Sequence, residues 1–440
     1  MKHIKQFTLV LFILSILVSC QPTEKEMGNI KVVDLESTEA INPYFTKDQE
    51  GNPVLCWTSK DSSDVYKLKY AIYDTKNEVF NPSVTVSSSS NLSTSSESMG
   101  KIAFKADGSI IAVYGKKIEN TESPYASAIY YSASTDQGKN WSSEKIIHSD
   151  TSRNVGHSFF DITRLKNGEV AAIWLDGRFG KTEKGLALFF AKTKGAIDFG
   201  SDTLLDKNTC ECCRTEILAD EVGNIHIAYR DISYPDGIIG KQVRDMTYLS
   251  SADNGTTFSQ PKAISNDKWE IEGCPHTGPS LAVYNQQVNA VWFTAGGATG
   301  LYYSSASNRN SEFKKRTLIT SSGRHPQMAT SPEGMLGVVY EDIVNKASNS
   351  QKENHSHSST KMDHSKMEMN DSMKGMNQVQ IGKTQIKLHL LTKEKDKTIS
   401  ITDGQHAAHH AVITSINNSL LIAWVQEKNG KALINYSKYR

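Results

Sequence analysis

Ser134-Thr135-Asp136-Gln137-Gly138-Lys139-Asn140-Trp141 and Ser251-Ala252-Asp253-Asn254-Gly255-Thr256-Thr257-Phe258 share one pattern, S-x-D-x-G-x-x-aromatic. Each reads as a closed turn. The Asp carboxylate can accept the backbone N–H groups that follow it, the Gly can take a positive φ, and the aromatic ring supplies a large apolar body. A short aromatic-rich run precedes each octapeptide, Ala128 to Ser132 and Met246 to Ser250, and similar runs occur at Leu186 to Ala191 and Gly300 to Ser305. Upstream of these, a turn followed by an apolar run ending in an aromatic recurs seven times: Gly51 to Trp57, Gly108 to Tyr114, Gly168 to Trp174, Gly223 to Tyr229, Gln286 to Trp292, Gly334 to Tyr340 and Asn418 to Trp424.

Long helical periodicity is absent. The copies lie about 50 to 60 residues apart, and each has room for a strand before it, an aromatic-rich strand after it and a short fourth strand, which describes a β-propeller blade. The expected fold is an all-β propeller of four-stranded blades, seven by this count, or six if one unit is degenerate. Residues 345–380 form a polar low-complexity insert that lengthens the last spacing. After Asn435-Tyr436-Ser437 the chain ends with only three strands of the seventh unit. The spare segment Ile30 to Leu35 is therefore expected to pair into the last blade and close the ring, which removes exposed sheet edges.

The two octapeptides resemble the Asp box, or BNR repeat, of sialidase-like propellers, with Ser134, Asp136, Gly138, Trp141 and Ser251, Asp253, Gly255, Phe258 at its defining positions. Ser304 to Phe313 and Lys192 to Phe199 read as weaker versions. The resemblance implies that the boxes are structural and lie on the face opposite the active site. It also implies what a sialidase would need: an arginine triad for the substrate carboxylate, a Tyr–Glu nucleophile pair and an acid/base Asp. Arginine suits the first task because its planar fork grips carboxylate bidentately. This chain departs from the family pattern, since the early Arg-Ile-Pro motif is replaced by Ile41-Asn42-Pro43-Tyr44-Phe45 and no arginine occurs before Arg153. Arg178, Arg214, Arg230 and Arg324 remain for a different clamp, with Asp231 and Glu341 as acids.

The start of the chain carries its own signal. Lys2 and Lys5 precede an apolar run from Phe7 to Val18, which is too short for a bilayer span of roughly 20 residues and reads as a secretory signal over residues 1–19. Leu17-Val18-Ser19-Cys20 resembles the bacterial lipobox, which implies acylation of Cys20. Residues 20–29 would then be a tether and 30–440 the propeller. The expectation is a monomeric lipoprotein of the bacterial cell envelope, anchored to the outer membrane or cell surface. With 49 basic and 48 acidic residues, nothing electrostatic draws it to nucleic acid.

In a propeller the loop leading into each innermost strand and the loop joining strands two and three open on one face. The leading loops hold His157; Cys210-Glu211-Cys212-Cys213-Arg214; Gly273-Cys274-Pro275-His276; Arg324-His325; and His406, His409 and His410. The second strands end in Trp174-Leu175-Asp176-Gly177-Arg178, Tyr229-Arg230-Asp231 and Tyr340-Glu341-Asp342 on the same rim. Two readings of the cysteines stand side by side. One is disulfides between neighbouring loops, for example from the Cys210–Cys213 cluster to Cys274, which persist in an oxidising compartment. The other is a thiolate and imidazole site for copper or zinc. Cys56, alone in a core strand, reads as a buried small hydrophobe.

The insert adds His355, His357, Met362, His364, Met367, Met369, Met373 and Met376 among polar residues. Thioether suits Cu(I) and imidazole accepts Cu(II). The leading expectation is a tethered propeller that binds a ligand at its rim, copper or another transition metal in its sharpest form. The alternatives are an exo-acting glycoside hydrolase on acidic glycans and a non-catalytic protein-docking propeller.

Overall fold

The computed structural model describes residues 27–34, 37–60, 62–180, 182–195, 197–235, 237, 241–271, 273, 275–344, 383–392 and 396–440. The N-terminal apolar segment with Cys20, Cys274, and the histidines and methionines of the insert lie outside the described residues. The strands form seven antiparallel sheets, six of four strands and one of five, and no helix occurs among the described residues. The fold is a seven-bladed β-propeller. The innermost strands are Glu39–Lys47, Lys101–Phe104, His157–Arg164, Glu216–Ala219, Ser280–Tyr284, Gly323–Thr330 and Ala408–Ile416, in blades one to seven. Ring closure follows the sequence expectation: Lys31 and Val32 pair with Tyr436 and Asn435 as the outer strand of blade seven.

The seven repeated runs are the second strands, and their terminal aromatics Trp57, Tyr114, Trp174, Tyr229, Trp292, Tyr340 and Trp424 are all buried. Because each sheet is covered on both faces by its neighbours, the apolar core is divided into wedges between blades. Val113 and Ile129 of blade two, for example, meet Phe160, Trp174 and Phe189 of blade three in one cluster. Blades one and seven join in the same way through Leu55, Trp57, Leu421 and Tyr436.

The Asp boxes form the turns read from the sequence. Ser134 Oγ donates to Asp136 Oδ1 (2.9 Å), and the Asn140 N–H donates to the same oxygen (2.9 Å). Ser251, Asp253 and Thr257 repeat the arrangement, and Gly138 and Gly255 take φ of 85° and 76°. The aromatic at the end of each box, and of its two weaker versions, meets a third-strand ring of the preceding blade: Trp141 on Tyr70, Phe199 on Tyr131, Phe258 on Phe190 and Phe313 on Tyr248, with centroids 5.0 to 6.5 Å apart. Edge-to-face geometry of this kind favours the contact beyond simple burial.

Toward the axis each innermost strand is an edge with unpaired backbone groups, and a buried unpaired N–H is costly. Side chains of one blade satisfy the N–H groups of the next. Phe159 N–H donates to Ser98 Oγ (2.9 Å), Ile217 N–H to Asp161 Oδ2 (2.8 Å), Leu281 N–H to Glu216 Oε1 (2.9 Å), Met328 N–H to Ser280 Oγ (3.1 Å) and His410 N–H to Glu341 Oε1 (2.7 Å). This relay runs from blade two to blade seven. Asp161 also accepts from Tyr44 Oη of blade one (3.0 Å) and lies 3.5 Å from the fully buried Lys101 Nζ of blade two. Burial, with Asp161 nearby, pushes Glu216 up to about 8, which favours its neutral form.

Replacing Asp161 by Ala leaves Lys101 buried without its counter-ion and the Ile217 N–H without its acceptor. Stability is expected to fall by about 3–5 kcal/mol, read as a lowered midpoint in denaturant titration.

Candidate functional site

Four of the innermost strands begin with a bulge, between Ile41 and Tyr44, Ser158 and Asp161, Arg324 and Gln327, and His409 and Val412. One residue in each takes a left-handed conformation: Asn42, Phe159, His325 and His410, with φ between 49° and 55°. His276, just before the innermost strand of blade five, has φ 48°. A bulge re-aims side chains at the end of a strand. Asn42, Phe159, His325 and His410 therefore stand at matched places in their blades, and His276 lies in the loop leading into blade five.

In blade six His325 Nδ1 lies 2.9 Å from Glu341 Oε2, and its Nε2 lies 3.2 Å from the carbonyl oxygen of His276. Both partners are acceptors, which favours the charged ring. Burial opposes that charge, but the bond to Glu341 outweighs it and raises the His325 pKa. Burial would raise Glu341, yet His325 brings it down to about 2. His410 is pulled down to about 4 by burial and by neighbouring His409, His325 and Arg214. His409 Nδ1 meets His410 Nδ1 at 3.0 Å, and its Nε2 meets Glu427 Oε1 at 3.0 Å. His276 and His406 are exposed. Arg214 reaches across the channel mouth, 3.5 Å from Glu97 of blade two, and donates to the carbonyl oxygens of Pro279 (3.4 Å) and Pro326 (3.2 Å).

The cysteines of blade four are a separate group. Cys210-Glu211-Cys212-Cys213 turns between the outer strand Thr203–Thr209 and the innermost strand Glu216–Ala219. The Cys210 N–H donates to the Arg230 carbonyl oxygen (2.9 Å) and anchors the turn. Cys210 Sγ lies 3.7 Å from Cys212 Sγ and 3.6 Å from Cys213 Sγ, and all three residues are buried beside Ile232, Phe159 and Tyr234. A disulfide needs an S–S distance of about 2.05 Å. No disulfide occurs among the described residues, and Cys274, the partner expected for this cluster, lies outside them. Arg244 Nη1 points at Cys210 Sγ from 3.1 Å and at Glu211 from 2.9 Å. Contacts with the Cys212 and Cys213 thiols, together with Arg244, hold the Cys210 thiol well below the usual range, while burial pushes Cys213 up to about 12. Cys56 is fully buried, as its place in a core strand implied.

Among the described residues two groups of three ligand atoms lie within 4.8 Å of one another: the sulfurs of Cys210, Cys212 and Cys213, and a set formed by Asp150, His157 and Asp176. The structure does not draw His325, His406, His409 or His410 into either group. Asp150 and Arg244 were not singled out in the sequence. Asp150 sits in the loop leading to His157 and was legible from position alone, whereas Arg244 has no local signal.

The arginines proposed for a carboxylate clamp are widely spread. Arg178 Nη2 is bonded to Asp176 (2.7 Å) and Asp202 (2.8 Å) and its guanidinium stacks on Phe189. Arg230 is buried and donates to the carbonyl oxygens of Arg244 (2.9 Å) and Phe293 (2.9 Å). Arg324 is exposed and lies over the Phe293 ring. Asp231 is pushed up to about 7 by burial and by Asp206.

No family model matches the chain, and no curated protein matches it. Solved structures similar to it include the Hadza microbial sialidase Hz136, at 12% identity over 89% of this chain and 77% of that one, TM-score 0.45. The NanB sialidase of Streptococcus pneumoniae, as its K499G mutant, gives 10% identity over 92% and 68%, TM-score 0.43. A Dyadobacter fermentans protein of unknown function gives 12% over 78% and 94%, TM-score 0.44. These likenesses concern the fold, and no residue role is carried over from them.

The Glu341–His325 pair has a defined pH signature. Glu341 is depressed from 4.5 to about 2, so its contribution is complete above 4.5 and is lost as pH falls toward 2. His325 is raised, so its contribution is lost as pH rises through its folded value. Glu341→Gln is expected to flatten both limbs of the stability–pH curve, measured by denaturant titration from pH 3 to 8.

Proposed function

We propose that this chain is a lipid-anchored envelope propeller that binds a thiophilic metal ion, Cu(I) foremost, through Cys210, Cys212 and Cys213. The observation that carries the reading is the three buried sulfurs with separations of 3.6 and 3.7 Å about Cys210. Three thiolates bound at about 2.3 Å in a tetrahedral array stand about 3.8 Å apart, so the cluster needs little movement to close on an ion. Thiolates select Cu(I), with zinc the other ion that such donors suit. Arg244 against Cys210 and Arg230 acting on Cys213 offset part of the negative charge of a thiolate-bound ion. Electropositive surroundings of this sort favour the thiolate over the thiol.

The Met- and His-rich insert supports the same reading. Its described ends, Ile343 and Thr384, pair across strands two and three of blade six, at the end of the blade that faces the rim. The lipobox at Cys20 supports an envelope location. Hydrolysis of acidic glycans is the weaker alternative, because Arg178 and Arg230 already hold other partners.

The test is Cu(I) loading of reduced protein against a competing chelator, followed by X-ray absorption. One Cu(I) per chain with sulfur scatterers at about 2.3 Å is expected. The Cys210→Ser, Cys212→Ser, Cys213→Ser triple variant should retain at least ten-fold less. Equal retention by the triple variant, or no retention by the native chain, refutes the assignment.

A further inference from the structure

We propose a second metal site, independent of the thiols, in which His157, Asp150 and Asp176 bind a small divalent cation of the Zn²⁺ type where blade two passes into blade three. His157 opens the innermost strand of blade three and faces Asp176 across the strand pair. Asp150 comes from the loop that leaves the outer strand Lys145–Ile146 of blade two. His157 Nε2 lies 3.4 Å from Asp150 Oδ2 and 3.5 Å from Asp176 Oδ2, and the His157 and Asp176 side chains are completely buried.

The hydrogen bonds fix which nitrogen is available. His157 Nδ1 is 3.0 Å from the carbonyl oxygen of Ser127, which can only accept, so Nδ1 carries a proton. In the neutral ring Nε2 is then a bare lone pair, aimed at two carboxylate oxygens. Neither His157 Nε2 nor Asp150 Oδ2 has a hydrogen-bond partner, although both atoms are buried. Lone pairs from a ring nitrogen and two carboxylates converge unfavourably unless a cation stands between them. A metal-ligating histidine that donates its other N–H to a backbone carbonyl is the usual outer-sphere arrangement.

The spacing and charge agree with an ion at that point. Ligands bound at about 2.1 Å in a tetrahedral array are about 3.4 Å apart. Asp150, Asp176 and Asp202 carry three negative charges against the one positive charge of Arg178, which bonds both Asp176 and Asp202, and the excess of two equals the charge of a divalent ion. Trp174 Nε1 donates to Asp176 Oδ2 (3.0 Å) and holds that carboxylate in place. His148 stacks flat on His157 with ring centroids 3.6 Å apart, accepts the Ile129 N–H at Nε2 (3.2 Å), and meets the Asp150 carbonyl oxygen at Nδ1. It braces the His157 ring and the Asp150 backbone and leaves no lone pair for the ion. One imidazole and two carboxylates are harder donors than three thiolates, so this site and the cysteine cluster select different metals.

The experiment is calorimetric titration of chelator-treated protein with Zn²⁺ alone, in the chain with Cys210, Cys212 and Cys213 replaced by Ser, so that the thiol cluster cannot contribute. The expected result is one Zn²⁺ per chain with nitrogen and oxygen scatterers at about 2.0–2.1 Å in X-ray absorption. His157→Gln should weaken binding at least ten-fold. Asp150→Asn, in a partly exposed loop, should do the same without lowering the thermal melt of the metal-free protein, because it removes one carboxylate from a cluster of like lone pairs. Absence of Zn²⁺ binding, with nitrogen NMR showing His157 protonated on both ring nitrogens at pH 7, would overturn the site and make a proton the bridging cation. Binding unaltered by both substitutions would overturn it as well. Because the titrated chain lacks the Cys210, Cys212 and Cys213 thiols, failure here is distinct from failure of the Cu(I) assignment.

Discussion

The innermost strand of each blade has one edge facing the axis, where no further strand can pair with it. That constraint shapes the centre of the molecule. The free N–H groups are met by Ser98, Asp161, Glu216, Ser280 and Glu341, each reaching from one blade to the next. Away from the axis the blades are held together by apolar side chains, and at the axis they are tied by polar ones. Closure by Lys31 and Val32 makes the arrangement continuous, so that neither blade one nor blade seven presents an open flank.

A rim crowded with polar residues is a consequence of that edge, and it complicates any search for ligands. In the sequence His325 reads as a metal ligand and Glu341 as an acid, but each is occupied: Glu341 accepts from the backbone of blade seven, and His325 bridges Glu341 and the His276 carbonyl. The recurrence of histidine at the bulges also has a backbone cause. His, like Asn, tolerates the left-handed conformation better than most residues, and Asn42 fills the equivalent place in blade one. Arginine shows the same effect, since Arg214 and Arg230 spend their donors on carbonyl oxygens that strand pairing leaves over.

The two groups that stand apart do so because their donor atoms point at one another instead of at backbone. The sulfurs of Cys210, Cys212 and Cys213 meet in an apolar pocket with a guanidinium on one side. Asp150, His157 and Asp176 meet beneath Arg178 and a stacked imidazole. The three thiols, His157 and Asp176 are buried, where unsatisfied charge is expensive, and the two sets of donor atoms differ in softness.

The blade count, the ring closure, the Asp-box turns and the cysteine-rich turn were all legible in the sequence, because each rests on short-range pattern: an apolar run, a turn residue, or neighbours in the chain. The inter-blade rings were partly legible, since Phe199 and Phe313 were read as the ends of weakened boxes without their partners Tyr131 and Tyr248. What only the tertiary structure decided is which polar residues are already spent. Arg244 lies more than a strand away from Cys210 in sequence, and Asp150 and His157 gain their meaning only with Asp176 across the pairing. Hydrogen-bond satisfaction is a property of neighbours in space, and a repeating sequence that places similar residues in every blade does not say which of them the fold has left with a free lone pair.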